Sequence, residues 1–358
     1  MSIDSLVDVG CCAGWCNYNF IIMIGRSVVF LQAGFFISAP SVSIGMSASI
    51  DLSVIHVPVM VDEIVEGLQL KAGGIWVDCT VGDGGHSRTI LEKTSPGGYL
   101  IGFDKDNQAL RVAKQALQDF EGRVELVQGS YAGMLQPLSQ ARTGLVDGIL
   151  FDLGISSRQV DESGYGLSFN RSETLDMRFD KSQDLMAMDV INEYDFEDLS
   201  RIFKEYGEER YSKRIARKII DSRPLSTTDE LADLVTTCVR KDASGRHPAT
   251  RVFQALRIEV NQELEDLHAG LESALTALKV QGRMAVISYH SLEDRIVKNF
   301  MRDKSKACQC PKAIPVCVCE VLQRLRLVNR KVIKPSVKEV DRNRRSRSAR
   351  LRVAEKIG

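Results

Sequence analysis

The 358-residue sequence has no excess of charge of either sign, since 47 lysines and arginines are balanced by 47 aspartates and glutamates. It also lacks the evenly spaced, even-numbered cysteine framework of a small secreted domain, although it contains nine cysteines. This absence argues against a small fold held together by disulfides, and it favours a reducing compartment in which the cysteines stay free thiols. Apolar residues make up 44% and charged residues 26%, the balance of a globular protein with a packed core.

The charge is nevertheless distributed unevenly along the chain. The last 38 residues, from Val321 onward, contain 13 lysines and arginines but only three acidic residues. Lysine and arginine gain affinity for nucleic acids by displacing counterions from phosphates, so a basic tail on a mildly acidic body favours a polyanionic partner. A solvated C-terminal extension is the alternative interpretation.

Residues 1–50 differ from the rest of the chain because they contain only three charged side chains. Residues 20–37 are nearly all apolar, long enough to raise the question of a membrane or signal segment. An arginine and two glycines interrupt this run, however, and no basic cluster precedes it. We therefore expect a leader that is disordered or reflects a misassigned start, and we keep a targeting or membrane segment as the alternative.

From residue 71 onward, short β-rich runs alternate with helical patterns, which is typical of an α/β fold with a parallel sheet. Apolar runs of the kind buried in parallel sheets predict strands at residues 74–78, 99–104, 123–127, 147–152 and 283–289. Two last strands are predicted at residues 326–333 and 349–353, where an antiparallel arrangement is open. We assign residues 51–160 and 246–358 to this core.

The alternation stops over residues 161–245, which we predict to be a helical insertion that recognises RNA. Apolar spacing predicts helices at 196–206 and 210–221, and the capping box of Thr227 and Glu230 opens a third. A single long amphipathic helix is predicted next, over residues 253–275.

Four of the predicted strands end in polar residues: Asp78, Asp104, Asp152 and the pair Tyr289-His290. Ligands of open α/β sheets bind at the carboxyl ends of the strands, so we expect these side chains to border one site. Taken singly, each is explained as well by a helix cap or a satisfied loop residue.

A glycine-rich loop, DCTVGDGGH at residues 78–86, follows the first predicted strand. Such a loop lets the backbone approach a ligand and directs the N–H groups of the next helix toward it. The dinucleotide fingerprint requires glycine or alanine at position 87, which is Ser87 here, and no basic residue is placed to help a pyrophosphate. Asp104 lies about 20 residues farther on, where an acid bonds ribose hydroxyls. The combination fits S-adenosylmethionine, which has an adenosine and an amino acid but no phosphate.

Seven short motifs between residues 56 and 295 carry a resemblance to one family. They are HVPVM (56–60), GDGGHS (82–87), DLGISSRQ (152–159), LDMR (175–178), YGEER (206–210), HPATR (247–251) and SYHSLEDR (288–295). In this combination the chain resembles the MraW (RsmH) family, which methylates N4 of a cytosine in small-subunit (16S) ribosomal RNA. The resemblance extends to about residue 357. It implies a Rossmann-like class I S-adenosylmethionine methyltransferase sheet with an inserted all-helical domain, and S-adenosylmethionine as cofactor.

The resemblance also implies which residues bind the cofactor: Gly84, Gly85, His86, Asp104, Tyr131, Asp152 and Gln159. The two glycines and His86 are expected around the methionine and adenosine, and Asp104 at the ribose. Tyr131 is expected to lie against adenine. Ordinary core packing of Tyr131 and loop hydrogen bonding by Gln159 are the alternatives.

Asp152 and His290 are the candidate catalytic residues. The cytosine amino group is a poor nucleophile because its lone pair is delocalised into the ring, and acceptors such as the Asp152 carboxylate would localise that lone pair. Catalysis would then rest on positioning and electrostatic stabilisation, without a covalent cysteine, on an unpaired or flipped-out nucleotide. His290 is expected to contact substrate, with a satisfied loop histidine as the alternative.

A cysteine cluster, C-x-C-x6-C-x-C, lies near the C-terminus and consists of Cys308, Cys310, Cys317 and Cys319. Four thiolates can hold zinc, but the usual knuckle spacing is C-x2-C. We predict reduced cysteines without a metal, and a structural zinc is the alternative.

Two other functions are weighed against the methyltransferase: an NAD-dependent Rossmann oxidoreductase and a non-catalytic RNA-binding ribosome assembly factor. Ser87 and the missing phosphate partners count against the first, and the intact glycine loop with its strand-end acids counts against the second. The expected partner is 16S ribosomal RNA within the small subunit, in the cytoplasm and without a membrane. The oligomeric state is open, with a homodimer as one option.

Overall fold

The computed structural model describes residues 58–141, 143–162, 164–239, 245, 247–308 and 322–358, together with two strands near the N-terminus. Those strands, β1 (Asn19–Ile24) and β2 (Ser27–Gln32), pair antiparallel within a unit that spans Met1–Ile50. The expectation of a disordered or dispensable leader otherwise falls on residues outside the described ones. The second unit, Asp51–Gly358, holds the predicted α/β fold.

A seven-stranded sheet forms the centre of this second unit. Its strands are β3 (Ile75–Asp78), β4 (Tyr99–Asp104), β5 (Val124–Gln128), β6 (Val146–Asp152), β7 (Leu278–Ser288), β8 (Leu325–Leu327) and β9 (Arg350–Lys356). The order is β5-β4-β3-β6-β7-β9-β8, parallel from β3 to β7, with β9 antiparallel to both of its neighbours. This is the arrangement of class I S-adenosylmethionine methyltransferases, so the predicted fold class is confirmed.

The strand order reverses between β3 and β6, because β3 pairs with β4 on one side and with β6 on the other. The chain therefore leaves β3 toward one edge of the sheet, returns, and continues from β6 toward the other edge. Such a switch point opens a crevice at the carboxyl ends of the strands. Asp78, Asp104 and Asp152 are the last residues of β3, β4 and β6, so the topology places all three at the carboxyl ends of the strands. Asp78 does not border the crevice as predicted, because its carboxylate is fully buried and accepts the Ser87 hydroxyl.

Helices cover both faces of the sheet. They are α1 (Val61–Leu68), α2 (Gly85–Lys93), α3 (Asn107–Ala116), α4 (Leu135–Gln140), α5 (Ser157–Asp161), α11 (Glu263–Ala277), α12 (Ser291–Lys304) and α13 (Val337–Arg342). Apolar residues of α1 and α2 pack on one face around Trp76, and those of α4, α11 and α12 pack on the other around Phe151. The strands read as continuous apolar runs because both faces are covered.

The remaining helices lie between β6 and β7. They are α6 (Ala187–Glu193), α7 (Phe196–Glu205), α8 (Ser212–Ser222), α9 (Thr228–Cys238) and α10 (Thr250–Asn261). They share a buried apolar cluster that includes Leu199, Ile215 and Leu231. The predicted capping box is present at the start of α9, where Thr227 and Glu230 satisfy each other's backbone N–H groups.

One predicted helix is wrong. The apolar spacing over residues 253–275 predicts a single helix, but the chain breaks at Gln262, whose φ of 52° lies in the left-handed region. Helix α10 packs with the helical cluster between β6 and β7, so this cluster extends beyond residue 245, where the insertion was predicted to end. Helix α11 packs on the sheet instead. Both helices keep an apolar face, so the periodicity continues across the break.

The C-terminal strands also differ in length from the prediction. The strand predicted at 326–333 is shorter in the structure, where β8 ends at Leu327. Farther along, Ile333 forms an isolated antiparallel bridge with Leu351. The last strand is longer than predicted and antiparallel to β7. Within the residues that the structure describes, no helix is both long and apolar enough to cross a membrane.

Candidate active site

A cavity of about 630 Å³ lies at the carboxyl ends of β3, β4, β6 and β7. The glycine loop and the strand-end acids Asp104 and Asp152 form its floor, and Phe169 and Phe253 line it from the segment between β6 and β7. This volume is in the range of clefts that bind cofactors and drug-sized ligands. The cavity therefore joins the predicted cofactor loop to the helical part of the chain.

The glycine loop closes onto β4 through its backbone. Gly82 adopts a φ of 53° and donates its N–H to Oδ2 of Asp104 over 2.8 Å. Gly84 has a φ of 90°, and a Cβ there would meet the α3 backbone at Ala113 at 3.3 Å. Gly85 and His86 line the cavity, whereas Gly84 is not among the lining residues and is needed for the close approach of α2 and α3.

Asp104 ends β4 with both carboxylate oxygens directed toward backbone donors. Oδ2 accepts the N–H of Gly82, and Oδ1 accepts the N–H of Asp106 over 2.9 Å. Burial raises the pKa of Asp104 to about 6, against the lowering effect of these two hydrogen bonds. Each oxygen retains acceptor capacity for a ligand hydroxyl.

Tyr131 forms part of the cavity wall. Its ring packs edge-on against Phe151, with centroids 5.2 Å apart. Helix α11 approaches it so closely that a Cβ on Gly270 would lie 2.5 Å from the ring. The ring is therefore packed against Phe151 and α11 on one side, and the contact with adenine stays a prediction.

Asp152 occupies the end of β6, next to His86 on α2 and to Tyr289 just after β7. The Tyr289 hydroxyl donates to Oδ1 over 2.9 Å, and His86 Nδ1 lies 3.5 Å from Oδ2. The backbone N–H of Asp152 donates to Oγ1 of Thr80 over 2.7 Å. Burial raises the pKa of Asp152, although His86 and the Tyr289 hydroxyl oppose this. The Tyr289 hydroxyl thus holds one carboxylate oxygen, the other lies beside His86, and the side chain stays 23% exposed to the cavity.

Charge in the cavity is predominantly negative. Six lining residues are aspartate or glutamate, and only three are lysine or arginine. All three cations are paired: Lys105 with Asp266 at 2.7 Å, Arg257 with Glu263, and Arg345 with Asp161. The described lining therefore offers no unpaired Lys or Arg to a phosphate, but it suits a ligand that carries a sulfonium and an ammonium group.

A model of the MraW methylase family matches residues 53–357. The chain belongs to this family. Three similar proteins, each named ribosomal RNA small subunit methyltransferase H, come from different bacteria. The protein of Caldicellulosiruptor saccharolyticus is 47% identical over 84% of this chain and 99% of its own. That of Dehalococcoides mccartyi is 49% identical over 84% and 86%, and that of Brevibacillus brevis is 45% identical over 86% and 99%.

In this MraW-family site, Gln159 lines the cavity but its amide is engaged on both sides. Oε1 accepts the N–H of Ser156 in the capping box of α5, and Nε2 donates to Oδ2 of Asp106 over 3.0 Å. Arg158 continues this network, donating to Asp83 over 2.8 Å and approaching Asp106 at 3.4 Å. The segment after β6 is thereby fastened to the glycine loop and to the loop after β4.

His290 lies in the cavity lining and is the N-cap of α12 rather than the last residue of β7. Its Nδ1 accepts the Glu293 N–H at 3.4 Å, and its Nε2 lies 3.0 Å from Oε1 of Glu293. Glu293 accepts the N–H of Tyr289 as well. Burial disfavours the charged form of Glu293, but His290 and Arg257 outweigh it and lower its pKa. The geometry thus shows the capping role, while the predicted substrate contact stays a prediction.

One group of potential metal ligands is found among the described residues. Single ligand atoms of Glu263, His290 and Glu293 lie within 4.8 Å of one another. Arg257 already donates to both oxygens of Glu263, at 2.7 and 2.9 Å, so a fixed guanidinium neutralises part of this group. Of the predicted cysteine cluster, Cys308 is exposed beyond α12, and Cys310, Cys317 and Cys319 lie outside the described residues.

Three residues of this network, Arg158, Asp106 and Tyr165, were not predicted from the sequence to act in the site, and Tyr289 was predicted only to end a strand. The Tyr165 hydroxyl donates to Oδ2 of Asp106 over 2.7 Å, which Arg158 and Gln159 also approach. The polar pair after the fifth strand was a usable signal for Tyr289. Arg158 lies in the DLGISSRQ motif, but no local signal pointed to its contact with Asp106 or to that of Tyr165, because Asp106 lies more than 50 residues away from both.

Proposed function

We propose that this chain transfers a methyl group from S-adenosylmethionine to the N4 amino group of a cytosine in small-subunit (16S) ribosomal RNA. Membership of the MraW methylase family and the class I methyltransferase topology support the reaction type. The names of the similar proteins support the small-subunit substrate. When bound, the cofactor supplies an electrophilic methyl group, and the chain positions the acceptor nitrogen.

The position of Asp152 carries the proposal. Its carboxylate is exposed in the cavity between the glycine loop and the aromatic side chains that line the cavity from the segment between β6 and β7. An acceptor at this point can bind an amino hydrogen and localise the N4 lone pair, and Tyr289 fixes the orientation of the carboxylate. A carboxylate that is already oriented loses little free energy to reorganisation during transfer.

The cofactor residues are proposed on the same basis. The carboxylate of Asp104 would accept the ribose hydroxyls, and the Tyr131 ring would stack on adenine. Gly85 and His86 would border the methionine part, with Gly84 acting through packing on α3. Gln159, together with Arg158, would hold the segment after β6 over the cofactor.

The target base would enter from the helical side of the cavity. Phe169, Phe179 and Phe253 line that side, and Phe169 packs edge-on against Phe253 with centroids 5.4 Å apart. A base drawn out of an RNA helix regains stacking on such aromatic surfaces. We therefore assign recognition of the flipped cytosine to this wall, and recognition of the surrounding RNA to residues 161–245.

The α8 basic face is the proposed RNA-phosphate contact of that region, and it consists of Lys213, Arg214, Arg217 and Lys218. All four are exposed, and within the described residues none has an acidic partner within ion-pair distance. Arg217 packs over the Phe196 ring at 4.6 Å. Uncompensated cations on one helix face suit a phosphate backbone, although a solvated face is the other interpretation.

The two alternative functions receive less support. An NAD-dependent oxidoreductase needs donors for a pyrophosphate, but the three cations of the described lining are already paired. A non-catalytic assembly factor has no need for the orientation of Asp152 by Tyr289. We place the reaction in the cytoplasm on the small ribosomal subunit, and a homodimer stays a prediction.

The test is incubation of the protein with radiolabelled S-adenosylmethionine and unmethylated small subunits, followed by nucleoside analysis of the 16S RNA. We expect label in N4-methylcytidine and none in C5-methylated cytidine. Label in another nucleoside would contradict the proposed target, and absence of label with measurable cofactor binding would favour a non-catalytic factor. Naked 16S RNA, assayed in parallel, shows which form of the substrate is used.

A further inference from the structure

His86 and Asp152 are arranged so that a proton can be shared between them. His86 Nε2 lies 2.8 Å from the carbonyl oxygen of Val59. A carbonyl oxygen only accepts, so Nε2 carries a hydrogen in both the neutral and the protonated ring. In the neutral ring the lone pair is therefore on Nδ1, which lies 3.5 Å from Oδ2 of Asp152. The Val59 carbonyl thus fixes the tautomer that directs a basic nitrogen at the carboxylate.

A lone pair and a carboxylate oxygen repel each other unless a proton lies between them. Their separation of 3.5 Å exceeds that of a direct hydrogen bond, and a bridging proton would convert this contact into a charge-assisted one. The pair as a whole is therefore a better proton acceptor than either group alone. Protonation of one group therefore changes the proton affinity of the other.

The groups around the pair favour uptake of one proton. The Asp78 and Glu293 carboxylates raise the pKa of Asp152 electrostatically, and Asp78 also interacts with His86. On the other side, the Tyr289 hydroxyl donates to Oδ1 of Asp152 and favours the charged carboxylate. His86 is buried, so water competes little for the shared proton. Two nearby negative groups and one neutral donor make the immediate field negative.

We propose that His86 and Asp152 form a dyad that accepts the proton released by the cytosine amino group. This inference rests on the proposed function. In the reaction, the N4 lone pair forms the new N–C bond, and the cofactor sulfur keeps the electron pair of the broken S–C bond. N4 then carries a positive charge and loses one proton to an Asp152 oxygen. His86 Nδ1 takes up this proton, and the resulting imidazolium is held between the Val59 carbonyl and the Asp152 carboxylate.

In this arrangement Asp152 is the catalytic residue and His86 is a positioning and proton-storing residue. The family resemblance implies only a cofactor contact for His86, whereas its ring nitrogens are directed to Val59 and Asp152. The dyad also explains why no isolated general base stands out in the sequence. The proton is transferred after the methyl group, so the base need not be strong.

The first test uses the ligand-free protein and needs no methylation. The five histidines are labelled with 15N, and the His86 signals are assigned by comparison with His86→Gln. We expect the pH response of the His86 ring-nitrogen signals to change in Asp152→Asn, because Nδ1 then lies beside a neutral amide instead of a carboxylate. Asp266→Asn, in the same cavity but paired with Lys105, is the matched control and should leave the His86 titration unchanged.

An unchanged His86 titration in Asp152→Asn would overturn the dyad. If that variant does not fold, Tyr289→Phe provides the same test with the opposite sign. Removing the hydroxyl raises the proton affinity of Asp152, so the pair should titrate at higher pH. No displacement in Tyr289→Phe would then count against the dyad.

The second test measures single-turnover methyl transfer at saturating cofactor as a function of pH. The wild-type rate should fall at low pH as the dyad becomes protonated. His86→Gln should be about tenfold slower, and its rate should fall over a different pH range because Asp152 then accepts the proton alone. Coupled titration together with a wild-type rate profile in His86→Gln would overturn the proton-accepting role. Absence of cytosine methylation by the wild-type protein would instead contradict the proposed function, while the coupled titration would still stand.

Discussion

The Tyr289 hydroxyl donates to Oδ1 of Asp152 over 2.9 Å, which joins the residue after β7 to the last residue of its neighbour β6. The bond fixes one carboxylate oxygen and leaves the other beside His86. A tyrosine is suited to this task because its rigid ring places one donor at a defined distance from the backbone. Burial and the adjacent carboxylate raise the pKa of Tyr289, so it stays a donor at neutral pH.

Replacing Tyr289 by phenylalanine should slow methyl transfer without displacing the cofactor. The loss of one hydrogen bond to a charged group, about 1.5–3 kcal/mol, corresponds to a rate lower by roughly ten- to a hundredfold if the bond acts fully in the transition state. Single-turnover rates and calorimetric cofactor affinities measure the two effects. Tyr99→Phe is the control, because Tyr99 begins β4, at the end of the strand away from the site, and donates to Glu125 over 3.2 Å. Equal rates for both variants would contradict the role of Tyr289.

The contact between Tyr131 and Gly270 offers a test of the adenine wall. Tyr131→Phe keeps the ring and should bind S-adenosylmethionine as tightly as wild type, whereas Tyr131→Ala should lose about 1–3 kcal/mol of binding. Gly270→Ala should also weaken binding, because its Cβ would lie 2.5 Å from the ring and displace it. Gly133→Ala, whose Cβ meets nothing within 4 Å, is the control. Equal affinities for all four variants would show that Tyr131 is core packing alone.

The raised pKa of Asp104 predicts that cofactor affinity depends on pH. The charged carboxylate is the better acceptor for ribose hydroxyls, so the affinity should be constant above pH 7 and fall as the pH drops through about 6. Calorimetry between pH 5 and 8 measures this, and Asp104→Asn should bind weakly at every pH. An affinity of the wild-type protein that is flat down to pH 5 would show that the Asp104 charge is not used.

The same titration has a defined effect on stability. The folded pKa is raised from 3.8 to about 6, so the folded chain holds the Asp104 proton more tightly than the unfolded chain does. The contribution of Asp104 to the free energy of unfolding is therefore most favourable below pH 4, and it is lost as the pH rises through about 6. Unfolding of the ligand-free protein, compared between wild type and Asp104→Asn, would show this difference over the pH 4–6 window.

The strand ends and the glycine loop could be predicted because their signals are local. Buried parallel strands are apolar runs, and Asp78, Asp104 and Asp152 each follow such a run, so the topology alone brings them to one edge. The family and the fold class predicted from the motifs are confirmed. The lengths of β7 and β8 could not be predicted from the sequence, because a strand ends where its neighbour no longer pairs with it.

The parts that could not be predicted depend on tertiary contacts. The break at Gln262 leaves the apolar spacing intact, and only the different partners of α10 and α11 require it. The fastening of Gln159 and Arg158 to Asp106 joins residues more than 50 positions apart. Gly84 was assigned to the ligand on the basis of its motif, but its φ of 90° and the closeness of Ala113 give it a packing role.

The α8 basic face provides the last prediction, which concerns RNA affinity rather than chemistry. Each phosphate contact contributes roughly 0.7–0.9 to the slope of log affinity against log salt, so replacing all four residues by glutamine should reduce the slope by about 3 if each meets a phosphate. Cofactor affinity should not change, because none of the four lines the cavity. Filter binding to 16S RNA between 50 and 200 mM salt measures the slope.

The matched control replaces four exposed cations elsewhere on the core, at Lys71, Lys93, Arg111 and Lys114. It changes the net charge by the same amount, so a general electrostatic effect would reduce the slope equally in both quadruple variants. A reduction confined to the α8 variant would assign the phosphate contacts to that helix. A wild-type slope in the α8 variant would show that the face is merely solvated, and the basic C-terminal residues from Val321 onward would then be the next candidates for the phosphate contacts.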